Sequence, residues 1–176
     1  MSQNPILVNS RISLHLDYSE VRCQCRLDGS PECTGGILRA ETAMIFEKLR
    51  VAVSSNIGRE TPLHVASGLR CRPYNARILG ASTESKHIHG MALDILKPAG
   101  IDLQEFWELA HLTAHVYCRG GAGFYWSWEW QGKIVGGVHL DIFSDVPNRR
   151  WRESEEPGKI VWGTPLKIIE NYGILG

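Results

Sequence analysis

Two short stretches could do chemistry: Ser85-Lys86-His87-Ile88-His89-Gly90-Met91-Ala92-Leu93-Asp94 and, further on, His139-Leu140-Asp141. The pattern is Ser-x-His-x-x-Gly-x-Ala-x-Asp followed by His-x-Asp. Two imidazoles and one carboxylate suit a zinc ion, and three protein ligands leave a fourth position for water, which separates a hydrolytic ion from a closed structural one. That donor count favours a zinc hydrolase over a binding module. Zinc brings the pKa of a bound water to about 7, so hydroxide is available at neutral pH. A nearby carboxylate would orient that water and carry its proton to the leaving amine. A cation, for which Arg70 is the candidate, would stabilise the oxyanion formed when an amide is attacked.

Local geometry supports this reading. In an extended segment Ala92 and Asp94 share one face, while Met91 and Leu93 take the other. Gly90 removes a side chain where the backbone must turn between His87 and Asp94. Asp141 lies two residues after His139, so a regular strand aims both to the same side.

Other polar groups have plainer readings. His89 makes His-x-His with His87 and is an alternative ligand. His64, on a β-like run, is expected to be structural. His111 and His115 are spaced i, i+4 on a helix, but Leu112 stands where the metalloprotease helix motif requires Glu, so they read as helix surface or packing. Five cysteines are an odd number, and a purely disulfide framework would leave one over. Cys23, Cys25 and Cys33 cluster in sequence and could hold a structural zinc with Cys71 as fourth ligand. The plainer alternative is buried or idle thiols with an occasional disulfide. Trp126, Trp128 and Trp130 alternate as one aromatic strand face, either core or a wall for a peptide or glycan substrate. Arg149-Arg150-Trp151-Arg152 reads as a solvated edge, and Lys159–Trp162 as an edge strand.

The elements that must position these groups follow from periodicity and breakers. Ile45, Phe46, Leu49, Ala52 and Val53 recur at helical spacing within a helix from about Arg39 to Ser55, ended by Asn56 and Gly58. Residues 62–67 lean to β structure. Pro73 can open a short helix through Leu79. Met91–Leu96 is a predicted strand. Asp102 and Glu105 make a capping-box-like start to a helix running to about Cys118. Gln131-Gly132-Lys133 is a predicted hairpin turn returning through Ile134–Phe143, residues 144–158 read as loop, and a short helix is expected at Pro165–Tyr172. Helices followed by strands imply a single α+β domain with helices packed on a small antiparallel sheet. Its parts are an extended lead-in (1–20), a core (21–152) and a C-terminal extension (153–176).

Composition bounds the partners. A chain of 176 residues can bury a core without staples. Lys plus Arg and Asp plus Glu balance at 19 each, which gives no reason to expect nucleic acid or an anionic membrane as partner. No apolar run is long enough to span a bilayer. Residues 1–10 lack a basic leader and a long apolar core, so the chain is expected to be made in a cytoplasm, acting on a cell wall only if released. A monomer is expected.

These blocks resemble the zinc D-Ala-D-Ala carboxypeptidase family, which shares its fold with the hedgehog signalling domain, and more narrowly its small endolysin-like branch. The resemblance rests on Cys23-x-Cys25 before the first long helix, on Ala66–Asn75 with its Ser-Gly-Leu-Arg stretch, on Ser85–Asp94, and on Gly121–Tyr125 with Val138–Asp141 and Arg150-Trp151. Carried over, it implies zinc ligation by His87, Asp94 and His139, which selects His87 over His89. It implies that Arg70 polarises the scissile carbonyl or holds a substrate carboxylate, and that Ser85 and Tyr125 help bind substrate. Several branches place a catalytic Glu, Asp or His just before the last ligand, where this chain has Gly136 and Gly137. Asp141 is therefore the first candidate for the general base and Glu129 the second. The implied function is zinc-dependent hydrolysis of a peptide bond in peptidoglycan stem peptides, of carboxypeptidase or endopeptidase (endolysin) type. The alternative is a non-catalytic zinc-binding interaction domain, or a phage structural domain, of the same fold.

Overall fold

The computed structural model describes residues 11–25, 33, 36–143, 149–153 and 159–162. Within them the chain runs β1 (Arg11–Ser13), β2 (Leu16–Asp17), α1 (Tyr18–Val21), α2 (Ala40–Ile57), β3 (His64–Ser67), α3 (Arg72–Asn75) and β4 (Ala92–Leu96). It continues with α4 (Leu103–Cys118), β5 (Gly121–Tyr125), β6 (Glu129–Trp130), β7 (Lys133–Ile134), β8 (Gly137–Asp141), β9 (Arg150–Glu153) and β10 (Ile160–Trp162). A 3-10 turn, Lys86–His89, precedes β4.

The two long helices form where apolar residues recur at helical spacing. α2 buries Ile45, Phe46, Leu49 and Val53 and stops at Gly58 in the left-handed region. α4 starts at Asp102, whose carboxylate accepts the Glu105 N–H at 2.8 Å. It buries Phe106, Trp107, Ala110 and Ala114. Each large apolar side chain so buried contributes about 1.5–3 kcal/mol. α2 packs on α4, and α4 packs on β5 and β8.

Among the described residues the main sheet has six strands in the order β10-β9-β5-β8-β4-β3. Every neighbouring pair is antiparallel except β5 and β9, which run parallel. The fold is thus the expected α+β arrangement on a mainly antiparallel sheet. Register decides the two faces. Asp94 pairs with His139 and His139 with Gly123, while Ala92 pairs with Asp141 and Asp141 with Gly121. Those residues share one face. Leu93, Ile95, Ala122, Val138 and Leu140 alternate with them and join the core under the helices. A Cβ on Gly123 would lie 2.3 Å from the Trp151 ring, so only glycine lets that indole lie on β5.

Several elements differ from expectation. Residues 11–21 are a small hairpin and a helical turn, because Asp17 and Glu20 form a capping box that fixes α1. Part of the expected 144–158 loop is β9, which pairs with β5. Arg149–Arg152 is not a solvated edge, since Trp151 is buried and Arg149 and Arg150 bond inward to Asp141 and His111. The aromatic run is no continuous strand. Trp128 stacks on Tyr125 at 4.5 Å, and the Gln131-Gly132 turn, with φ of 51° and 75°, closes a separate β6–β7 ribbon. β10 is the expected edge strand. The expected helix at Pro165–Tyr172 lies outside the described residues. Among the described residues no helix is long and apolar enough to cross a membrane.

His111 is buried packing rather than helix surface. Its Nε2 accepts from Arg150 Nε at 2.8 Å, and its ring lies between Trp107 and His115. Burial, then the Arg150 and His115 charges, push its pKa down to about 4. The unfolded chain takes a proton near pH 6.5 that the folded one refuses. Stability contributed by neutral His111 is therefore present above pH 6.5 and lost as pH falls toward 4. Urea midpoints at pH 7.5 and pH 5 should fall less in His111→Gln protein than in the parent. Equal falls in the two proteins would refute this assignment.

Candidate metal centre

His87 ends up beside Asp94 because the 3-10 turn stops at Gly90, whose φ is 66°. A Cβ there would lie 2.1 Å from the Ile37 carbonyl oxygen. The Gly90 carbonyl in turn accepts from Arg39 N–H at 3.0 Å and from Thr42 Oγ1 at 2.9 Å, which ties the turn to the start of α2. β4 then delivers Asp94 opposite His139 on β8.

The three side chains converge. His87 Nε2 lies 3.1 Å from Asp94 Oδ1 and 3.2 Å from His139 Nδ1, and His139 Nδ1 lies 2.7 Å from Asp94 Oδ1. Zinc–ligand bonds of about 2.0–2.1 Å in a tetrahedron separate the donors by about 3.3 Å. Two edges fit that size closely, and the third is drawn in to hydrogen-bond length. The outer nitrogens decide where the lone pairs point. His87 Nδ1 donates to the Gly68 carbonyl at 2.6 Å, which turns an unprotonated Nε2 inward. His139 Nε2 faces Asp141 Oδ2 at 3.6 Å, so the proton belongs there and Nδ1 faces the centre. Without a metal, a proton on His139 Nδ1 bridges to Asp94 but leaves His87 Nε2 facing Asp94 Oδ1 acceptor to acceptor. A divalent cation serves all three, so the donor set fits zinc.

Charges in the metal-free protein follow the same geometry. Burial pushes the His87 pKa down, against the pull of Asp94. Burial also opposes charge on Asp94, yet the two imidazoles hold its carboxyl well below the usual range. For His139 burial is outweighed by its bonds to Asp141 and Asp94, which raise the pKa to about 9.

The neighbouring residues fall into distinct places. Arg70 Nη2 donates to Asp94 Oδ2, and its Nε donates to Ser67 Oγ at 2.9 Å. Tyr125 Oη accepts from Trp151 Nε1 at 2.9 Å, and burial pushes its pKa up to about 12, so the hydroxyl keeps its proton. Trp151 lies against His139 with ring centroids 5.2 Å apart. Ser85 is half-buried at the start of the 3-10 turn. His89 is exposed and turned toward Glu84, leaving His87 in the triangle.

The two expected bases both lie outside the triangle of ligand atoms. Asp141 is fully buried behind the His139 ring. Its Oδ1 accepts from Gly121 N–H at 2.9 Å, and its Oδ2 is held by Arg149. Those bonds and the His139 contact engage both of its oxygens on the outer side of the His139 ring. Glu129 is exposed on the β6–β7 ribbon, opposite Ile134 and on a different sheet from His139. The residues not anticipated in roles here are Arg149 and Trp151, with Glu153. Glu153 is buried, accepts from Ser127 N–H and Oγ–H at 2.9 and 2.6 Å, and adds to the field at Tyr125. The charged stretch that carries them gave no local sign of a buried strand.

The model of one protein family, described as Peptidase M15, matches residues 14–131, well over half of the chain. The chain belongs to the peptidase M15 family. No curated protein and no solved structure matches it. M15 membership makes it a zinc peptidase of the cell-wall type in general terms. The matched stretch of this M15 chain includes Arg70, His87 and Asp94. His139 lies beyond it and is joined to the site by its pairing with Asp94.

Proposed function

We propose that this M15 peptidase hydrolyses a peptide bond in the stem peptides of bacterial peptidoglycan, with His87, Asp94 and His139 holding its zinc. The observation that carries this reading is the triangle of inward lone pairs, each ring backed by an acceptor on its outer nitrogen. When bound, zinc supplies Lewis acidity and lowers the pKa of a coordinated water to about 7. The chain does the rest. Arg70 steadies Asp94 and presents its remaining N–H groups to a substrate carbonyl or terminal carboxylate. Protonated Tyr125 donates a hydrogen bond to the oxygen on which charge develops. Trp151, with Tyr125 and Trp128, forms an aromatic wall that excludes water on one side. Asp141 acts as a positioning residue for His139, and Arg149 holds Asp141.

Purified peptidoglycan incubated with zinc-loaded protein should release new muropeptide masses, and chelator should stop the release. Loss of one alanine mass marks carboxypeptidase action, and two shorter peptides mark endopeptidase action. An inert protein that still holds one zinc at the triangle would reject hydrolysis and favour the interaction-domain reading.

A further inference from the structure

A second convergence of metal-binding side chains lies outside the triangle. Cys23, Cys25 and Cys71 are buried, Cys33 is half-buried, and one Sγ from each lies within 4.8 Å of all the others. None of the five cysteines is in a disulfide. Zinc–sulfur bonds of about 2.3 Å in a tetrahedron separate the sulfurs by about 3.8 Å. The observed spread accommodates that figure. The donor set is purely sulfur, which selects zinc or tetrahedral iron over harder ions. Cys71 N–H already donates to Cys23 Sγ at 3.2 Å, the kind of backbone bond that supports a ligating thiolate. Cys118 stands apart from this group, so the odd cysteine is accounted for.

We propose that Cys23, Cys25, Cys33 and Cys71 bind a second, structural zinc ion. Four protein ligands leave no open position, so this ion does no hydrolysis. Its place in the fold explains its use. Cys23 and Cys25 follow Val21, whose carbonyl accepts the Leu69 N–H at 2.6 Å, and Cys71 closes the same segment. That segment supplies the Gly68 carbonyl that holds His87 and the Arg70 that holds Asp94. A thiolate-bound ion would fasten the lead-in to the stretch that supports two of the three ligands of the other site.

Metal analysis of protein purified under reducing conditions tests this without any activity assay. The parent should hold two zinc ions per chain. His87→Ala protein should keep one, and cobalt put in its place should give a thiolate-to-cobalt charge-transfer band. Adding Cys71→Ser should abolish that band and the remaining ion. Should the cysteine variant fail to fold, thiol alkylation of the parent decides: four more thiols should react after chelation than before. A His87→Ala protein that holds no zinc overturns the proposal, as do disulfides among these four cysteines, iron in place of the zinc they would hold, or a band that survives Cys71→Ser. The band in His87→Ala protein stands or falls independently of whether the triangle hydrolyses peptides.

Discussion

His139→Ala protein is expected to fold, to lose the zinc of the triangle and to show essentially no release of muropeptides. The side chain contributes one of three donors and is only 13% exposed, yet its ring packs on Trp151 rather than filling the main core. Its removal therefore empties the metal corner more than it loosens the fold. Zinc acting as a Lewis acid supplies several kcal/mol of transition-state stabilisation. Each decade of rate corresponds to about 1.36 kcal/mol, so the expected loss is roughly three orders of magnitude or more. Metal content and muropeptide release should fall together, while the thermal midpoint of chelated variant and chelated parent should agree within a few degrees. Parent-like release by a His139→Ala protein lacking that ion would remove the basis of the metallopeptidase reading.

The triangle was legible because its signal is local and chemical. His87, Gly90 and Asp94 sit within eight residues, and the turn at Gly90 is demanded by its φ of 66° and the nearby Ile37 carbonyl. His139 was legible for its His-x-Asp pattern, and strand alternation rightly put Asp141 on the same face of the sheet. α2 and α4 followed from their apolar spacing, and the Gln131-Gly132 turn from its residue types. What stayed hidden depends on partners distant in sequence. β9 carries Arg150, Arg152 and Glu153, a pattern that reads as solvent-facing until its parallel pairing with β5 buries Trp151 and Glu153. Glu153 tolerates that burial because Ser127 satisfies both of its oxygens. The same distant strand region decides the role of Asp141. Sharing a face with His139 does not tell whether a carboxylate lies beside the ion or behind the ring, and Arg149 draws it behind.

Asp141→Asn is the substitution that separates those two roles. An asparagine keeps the size of the side chain, but its amide presents one acceptor where the carboxylate had two. Gly121 N–H, Arg149 and His139 Nε2–H all donate toward this position. With one oxygen given to a donor, the amide NH2 must face another. If it faces His139, Nε2 has to accept, the proton moves to Nδ1, and the lone pair aimed at zinc is lost. Removing such a partner costs about 10–100-fold in metal affinity or activity. The expected result is weaker zinc binding by that factor, with muropeptide release low at limiting zinc and restored toward the parent rate at saturating zinc. In the metal-free variant the His139 pKa should also fall from its raised value of about 9, since the bond to Asp141 is the foremost contribution holding it up. A general base behaves differently: its loss lowers the rate by about 10²–10⁴-fold however full the metal site is. A zinc-saturated Asp141→Asn protein that stays that slow would return Asp141 to the chemistry itself.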